Sequence, residues 1–410
     1  MSAARTSSPE VPSSAPHSDR LVALDGLRGW AAVVVLLHHT LEIAKPYLAP
    51  ASGDPVVPGS LWWWLTETPL KLLTAGQEAV VVFFVLSGLV VALPALTATG
   101  RYSWAAFLAS RFVRIYLPVW GALLLASALI AVFPRSESRV TAHSWLADSN
   151  ATTVQGSILF DEATLSRYSF DIVNTLWSLR WEMVFAVLLP LYALAARRLR
   201  RLWLPVGLAA VAATIAGSVL QDGTLSYLPV FFIGTLVAAN LDGLRDWAGA
   251  RRAARWIGPT WIAALVLSAG CLIATWMARP VAPTGTPISL ALTGLGVVGA
   301  LGLVLLAIAP SPFARWLSTR PSQWLGRISF SLYLVHVPLL ATAGYLLRDS
   351  RWPLVALAVI PASLVAAAVF TRLVETPAHR LARRVGREVA ERTSRPVLRP
   401  LPTPEREASA

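Results

Sequence analysis

The sequence predicts an all-α fold: a polytopic integral membrane protein with about ten transmembrane helices, the length of each window matching a hydrocarbon core roughly 30 Å thick. Three observations carry that reading. Of 410 residues, 55% are hydrophobic and only 14% are charged, against roughly 25% charged in an average soluble domain. Mean hydropathy is +0.59. The arginines gather between the apolar windows, on alternate connections, which is the pattern of the positive-inside rule.

The windows lie near 21–44, 70–96, 116–133, 172–195, 202–220, 225–240, 256–278, 288–309, 324–347 and 353–374. With the N-terminus inside, the cytoplasmic connections hold Arg101, Arg111 and Arg114, then Arg197 to Arg201, Arg245 to Arg255, Arg315 to Arg327, and Arg380 to Arg387. The opposite side is sparser and mixed in sign, with Lys45 near Glu42 and Asp54, Arg279, and Arg348 beside Asp349. An even span number with both termini cytoplasmic, in a plasma (inner) membrane, is therefore expected. Residues 1–20, rich in Ser, Pro and Ala, lack the layout of a secretory signal and read as a disordered cytoplasmic tail. The membrane domain occupies 21–376, and 377–410 reads as a basic cytoplasmic tail, largely disordered. The long polar connection from Arg135 to Asp171 is expected to be functional or disordered.

A net charge of +13 in a soluble chain would suggest nucleic acid; here the membrane explains it, and a nucleic-acid partner is excluded. The single cysteine, Cys271, lies in an apolar run, so neither a disulfide framework nor a metal site built on thiolates is expected.

Ionisable residues inside spans mark pathways or sites. In Leu24-Asp25-Gly26-Leu27-Arg28-Gly29-Trp30, running on to His38-His39, Arg28 and His39 are eleven positions apart. At about 100° and 1.5 Å per residue they share a face within roughly 20° and stand about 16 Å apart along the axis. His38 points about 100° away from that face. Glu78 sits near the outer end of the second span, ahead of Phe83-Phe84-Val85-Leu86-Ser87-Gly88, where Ser87 and Gly88 permit close helix packing. Arg111 and Arg114, at i,i+3, present two guanidiniums on one face, a fork suited to phosphate; anchoring at the membrane surface also accounts for them. In Trp177-Ser178-Leu179-Arg180-Trp181-Glu182, Ser178 and Glu182 share a face, and Glu182 must be paired, protonated or functional. Ser329, Tyr333 and His336 form a polar stripe along the ninth span, open to helix–helix hydrogen bonding as well as to a substrate role. Glu375, before Pro377, is expected near a helix end within reach of a cytoplasmic arginine.

These motifs, together with Arg111-x-x-Arg114-Ile115-x-x-Pro118, Trp177-Ser178-Leu179-x-x-Glu182, Ser329-x-Ser331-Leu332-Tyr333-Leu334-x-His336-x-Pro338 and Glu375-x-Pro377, resemble those of the acyltransferase family 3 membrane proteins. The similarity runs in order through nearly the whole membrane region. It implies about ten core helices and transfer of an acyl group, often acetyl from acetyl-CoA, to a hydroxyl of a sugar or related acceptor. Many members carry an acid shortly before the Phe-Phe, where this chain has Val81, with Glu78 one turn earlier. A fused esterase-like domain, common in the family, is not expected here.

By that resemblance, Arg28, Arg111 and Arg114 meet the phosphates of acyl-CoA, the donor substrate; no permanently bound cofactor and no metal are expected. His39 is the general base, or an acyl relay, with Glu182 orienting His39 or a substrate hydroxyl. Trp177, Ser178, Tyr333, His336 and Glu78 line the acceptor route, for a carbohydrate or glycoconjugate. The rival reading is a transporter or glycan flippase without covalent chemistry, which an internal repeat would favour; no clear repeat is present. The acceptor itself has no motif in the sequence.

Overall fold

The computed structural model describes residues 22–166, 170–250 and 257–394; the tail at 1–20, residues 395–410, Arg167, Arg251, Arg252 and Arg255 lie outside the described residues. Eleven long helices follow in order: α1 (Val22–Glu42), α2 (Gly76–Thr97), α3 (Trp104–Val132), α4 (Leu176–Arg198), α5 (Trp203–Leu220), α6 (Gly223–Ala239), α7 (Ile257–Leu272), α8 (Pro287–Ile308), α9 (Arg320–Leu347), α10 (Trp352–Phe370) and α11 (Thr376–Ser394). Strands are absent among the described residues. Each expected window falls on one of α1 to α10. Among the described residues, seven helical stretches are long and apolar enough to cross a membrane, or eight if the pair Gly223–Ala239 and Leu241–Gly249, bent by 63°, counts as one span. Outside that number fall α1, which carries Asp25, Arg28 and Glu42, and the short α7.

The most extensive packing joins α1 to α9, α2 to α6, α3 to α11 and α9 to α10. Two of these crossings depend on missing side chains. A Cβ on Gly29 would stand 2.4 Å from the Gly326 nitrogen, and one on Gly326 would stand 2.4 Å from the Asp25 carbonyl oxygen. The backbones of α1 and α9 therefore touch at the level of Arg28. Likewise a Cβ on Gly88 would meet the Phe231 carbonyl oxygen at 2.0 Å, and one on Gly234 the Val85 carbonyl oxygen at 2.2 Å, where α2 crosses α6. Small residues at such crossings let helices approach closely where dispersion, rather than water, drives association.

Three segments differ from expectation. α3 begins at Trp104, capped by Ser103, so Arg111 and Arg114 lie within the helix and not at its start; Pro118 is carried inside it. The second window began too early, because Pro69–Thr74 forms a separate 3-10 segment with Lys71 fully buried. The chain from 376 to 394 is helix, not tail: Ala378 and Ala382 are buried as α11 packs along α3, and a charge-rich average over this stretch conceals that apolar stripe. The helix also passes Glu375 through a π-helical turn, Thr371–Glu375, without stopping at Pro377.

The connection after α3 is folded. The buried Glu162 carboxylate accepts from the backbone nitrogens of Asp171, Ile172 and Val173 at 2.7, 2.8 and 3.0 Å. Asp349 accepts from the Thr141 nitrogen at 2.6 Å, and the Tyr345 hydroxyl donates to the Leu146 carbonyl at 3.0 Å. These bonds seat Trp145 against the end of α1.

Candidate functional site

Arg28 from α1, Arg111 and Arg114 from α3, Glu182 from α4 and Glu375 and His379 near the start of α11 line one open cavity with about 780 Å³ of empty space. The three arginines singled out in the sequence thus converge from two helices far apart in the chain. Arg111 forms an ion pair with Glu182, whose Oε1 also accepts from Ser87 at 3.4 Å. Among the described residues neither Arg28 nor Arg114 makes an ion pair. Glu375 accepts from the Ser331 hydroxyl, which accepts in turn from Thr371 at 2.8 Å, and Glu375 Oε1 is 3.8 Å from His379 Nε2; the expected arginine partner for Glu375 gives way to this network. Two guanidiniums therefore keep their donor forks for an anionic ligand.

Ser87 belongs to this site and not to the packing interface, whereas Gly88 makes the close crossing described above. Glu182 makes no described contact with His39: its carboxylate is committed to Arg111 and Ser87. The role of orienting His39 does not fit that placement, and the pairing with Arg111, 71 positions away in sequence, is what compensates this carboxylate.

The polar stripe of α9 runs from this cavity toward the opposite end of the bundle. Ser329 and Tyr333 line the cavity; the Tyr333 hydroxyl shares a 2.6 Å hydrogen bond with Ser178, and its ring meets Phe83 edge-on at 5.9 Å. One turn further, His336 Nε2 is 2.9 Å from His39 Nδ1. His336 Nδ1 lies 2.7 Å from the Leu332 carbonyl oxygen. A carbonyl only accepts, so the His336 proton sits on Nδ1; in the neutral ring Nε2 then accepts from His39 Nδ1–H. Neutral His39 consequently carries its lone pair on Nε2. The same ring stacks on His336 at 5.1 Å and on Trp145 at 5.5 Å.

The neighbours of His39 were not all legible in the sequence. Glu42, three and four residues past the two histidines, stands with Oε1 3.2 Å from His38 Nε2 and Oε2 3.8 Å from His39 Nε2. His38 Nδ1 is 3.0 Å from the Tyr47 hydroxyl, which also accepts from Lys71 Nζ at 2.8 Å and donates to the Thr74 carbonyl at 3.0 Å. Lys71 lies 3.6 Å from the Trp276 ring centroid. Burial lowers this ammonium to about 8, against the opposing pull of Glu78 and Glu42. The spacing His38-His39-x-x-Glu42 was the signal available for Glu42; His379 and Lys71 had none.

Trp177 and Glu78 line a second open cavity of about 1170 Å³, with Gln77, Ser218, Gln221 and Tyr227. Glu78 accepts from Trp276 Nε1 at 2.8 Å, and Trp177 packs on Tyr227 at 5.3 Å. Val80 lines both cavities. The substrate residues expected from sequence thus divide: Ser178 and Tyr333 face the arginines, His336 holds His39, and Trp177 and Glu78 face the second cavity.

A family model described as an acyltransferase domain matches residues 21–372. The O-acetyltransferase PaAT-1 of Phomopsis amygdali is 25% identical to this chain over 379 residues, which is 79% of this chain and 73% of that protein. No solved structure matches.

Proposed function

The chain belongs to the acyltransferase family whose model spans residues 21–372, and on that footing we propose that it is an O-acyltransferase of the plasma (inner) membrane with both termini cytoplasmic. Its donor is acyl-CoA, acetyl-CoA in the first instance, bound from the cytoplasm. Its acceptor is a hydroxyl of a sugar, polysaccharide or glycosylated metabolite. One observation supports this above the others: the cavity walled by Arg28, Arg111 and Arg114 reaches Ser329 and Tyr333, one turn along α9 from His336, whose bond to His39 Nδ1 leaves the Nε2 lone pair of His39 free.

In this reading Arg28 and Arg114 take the donor's phosphates by charge-assisted bonds, while Glu182 holds Arg111 in place. The pantetheine arm extends toward Tyr333 and carries the thioester to the level of His39, about 16 Å beyond Arg28 by helix rise. The acceptor approaches from the opposite end, where Trp177 and Glu78 line the second cavity. His39 Nε2 takes the hydroxyl proton as the acceptor oxygen forms its bond to the thioester carbonyl carbon. The carbon–sulfur bond breaks, and the departing thiolate receives that proton from the imidazolium, so the products are an ester and free CoA thiol with no net proton change. Stacking on Trp145 and the bond to His336 fix the ring, and keep Nδ1–H out of the reaction.

Radiolabelled acetyl-CoA supplied to the purified protein in detergent tests the reading. Release of labelled acetate to water, or to an added glycoside, above a protein-free control is the expected result. Absence of any labelled product together with absence of acetyl-CoA binding contradicts it.

A further inference from the structure

We infer that Glu42 is the carboxylate that positions His39 for proton transfer, the role for which Glu182 is not available. The inference rests on the acyl-transfer reading above and adds a residue to it. Glu42 lies in the last turn of α1 with its side chain 12% exposed, and its two oxygens do different things. Oε1 is fixed by His38 Nε2 at 3.2 Å. Because His38 Nδ1 is engaged with the Tyr47 hydroxyl, a proton on His38 Nε2 makes that contact an ion pair, and the Tyr47–Lys71–Thr74 network holds His38 from behind.

Oε2 is buried and accepts no hydrogen bond from any described residue. Leaving one oxygen of a buried carboxylate without a donor is costly, and such an exception calls for a reason. The nearest candidate donor is His39 Nε2, 3.8 Å away, the atom that the His336 and Leu332 bonds leave without a hydrogen in neutral His39. That separation is too long for a direct hydrogen bond. It leaves the lone pair free to receive a hydroxyl, with a negative charge fixed beside it. When His39 takes the acceptor proton, the new N–H and its positive charge appear next to Oε2. A fixed charge aimed at the place where the opposite charge develops favours the transition state over the ground state.

The charged and titratable groups around Glu42 are His38 and His39 from its own helix, Tyr47 from the connection that follows it, His336 from α9 and Lys71 from the segment before α2. Of these, His39 alone has a ring nitrogen without a described hydrogen bond. The ion pair of Glu182 with Arg111 serves the donor cavity, so the two glutamates divide between donor and base.

Two substitutions measured with acetyl-CoA test the assignment. Glu42→Gln keeps the shape and removes the charge; its kcat is expected to fall about 100-fold with KM for acetyl-CoA held within about twofold. Glu42→Asp keeps the charge but draws it back by one methylene, and is expected about tenfold below wild type in kcat. Wild-type kcat in a folded Glu42→Gln overturns the proposal. So does a parallel loss of kcat, donor affinity and thermal stability in both variants, which marks a structural residue. Should Glu42→Gln not fold, a Glu42→Asp protein with wild-type kcat overturns it equally. A wild-type protein with neither turnover nor acetyl-CoA binding instead contradicts the acyl-transfer reading itself.

Discussion

The arginine cavity and the histidine cluster, at opposite ends of the same two helices, handle charge in contrary ways. In the cavity, among the described residues, Arg28 and Arg114 line open space without ion-pair partners while Arg111 is paired with Glu182. In the cluster, His38, Tyr47, Lys71 and Thr74 are tied to one another and His336 holds His39, leaving His39 Nε2 and Glu42 Oε2 without described hydrogen bonds. A surplus of uncommitted donors suits a large anion that must arrive and leave. A closed network with one free lone pair suits a proton that moves a short distance between fixed atoms. In the proposed function, affinity belongs to one end of α1 and chemistry to the other.

Substitutions at each end should separate along that line. His39→Ala is expected to lower turnover by about 10²- to 10⁴-fold, the usual weight of a general base, measured as acyl release at saturating acetyl-CoA. Arg111→Ala removes the partner of the Glu182 carboxylate, and for this part-buried pair the loss is expected to be about 1–3 kcal/mol; the thermal unfolding midpoint in detergent should drop, and the double replacement of Arg111 and Glu182 by Met should recover much of the loss. Away from both ends, Gly88→Ala forces a methyl group onto the Phe231 carbonyl and should destabilise by about 1–3 kcal/mol as an overpacked contact, with KM for the donor unchanged.

The last expected effect is a pH dependence and concerns Lys71. Burial brings it to about 8 from an ordinary 10.5. Between those values the unfolded chain holds a proton that the folded chain has released, so folding stability rises with pH across that window and is flat below it. Wild type should therefore gain stability relative to Lys71→Met between pH 8 and 10.5, read as the difference between their unfolding midpoints. A constant difference across that range would show that the ammonium is solvated, and that the cluster is less closed than the cavity comparison requires.

Features set by local spacing were legible in the sequence. Arg28 and His39 on one face of α1, the Arg111–Arg114 pair and the Ser329–Tyr333–His336 stripe follow from helical periodicity, and the structure places them on the surfaces that periodicity requires. Partners set by tertiary packing were not. Glu182 finds Arg111 on another helix, and His39 finds His336 297 positions away. Glu42 was visible only as a charge near Lys45, although its spacing from both histidines marked it. α11 was hidden for another reason: its arginines dominate any average, while the two alanines that dock it, Ala378 and Ala382, carry little hydrophobic weight of their own. The start of α2 was misplaced because Leu70, Leu72 and Leu73 extend the apolar run across a 3-10 turn that Pro69 begins.

The division between donor binding and chemistry is tested most directly by measuring acetyl-CoA affinity and single-turnover acyl transfer side by side on wild type, Arg28→Gln and His39→Ala. The account predicts a crossed result. Arg28→Gln should weaken acetyl-CoA binding roughly 10- to 100-fold, as expected for a lost charge-assisted contact, with near-normal transfer once the donor is saturating. His39→Ala should bind the donor as wild type does and transfer almost nothing. Normal transfer in a folded His39→Ala, or unchanged affinity in Arg28→Gln, would contradict it.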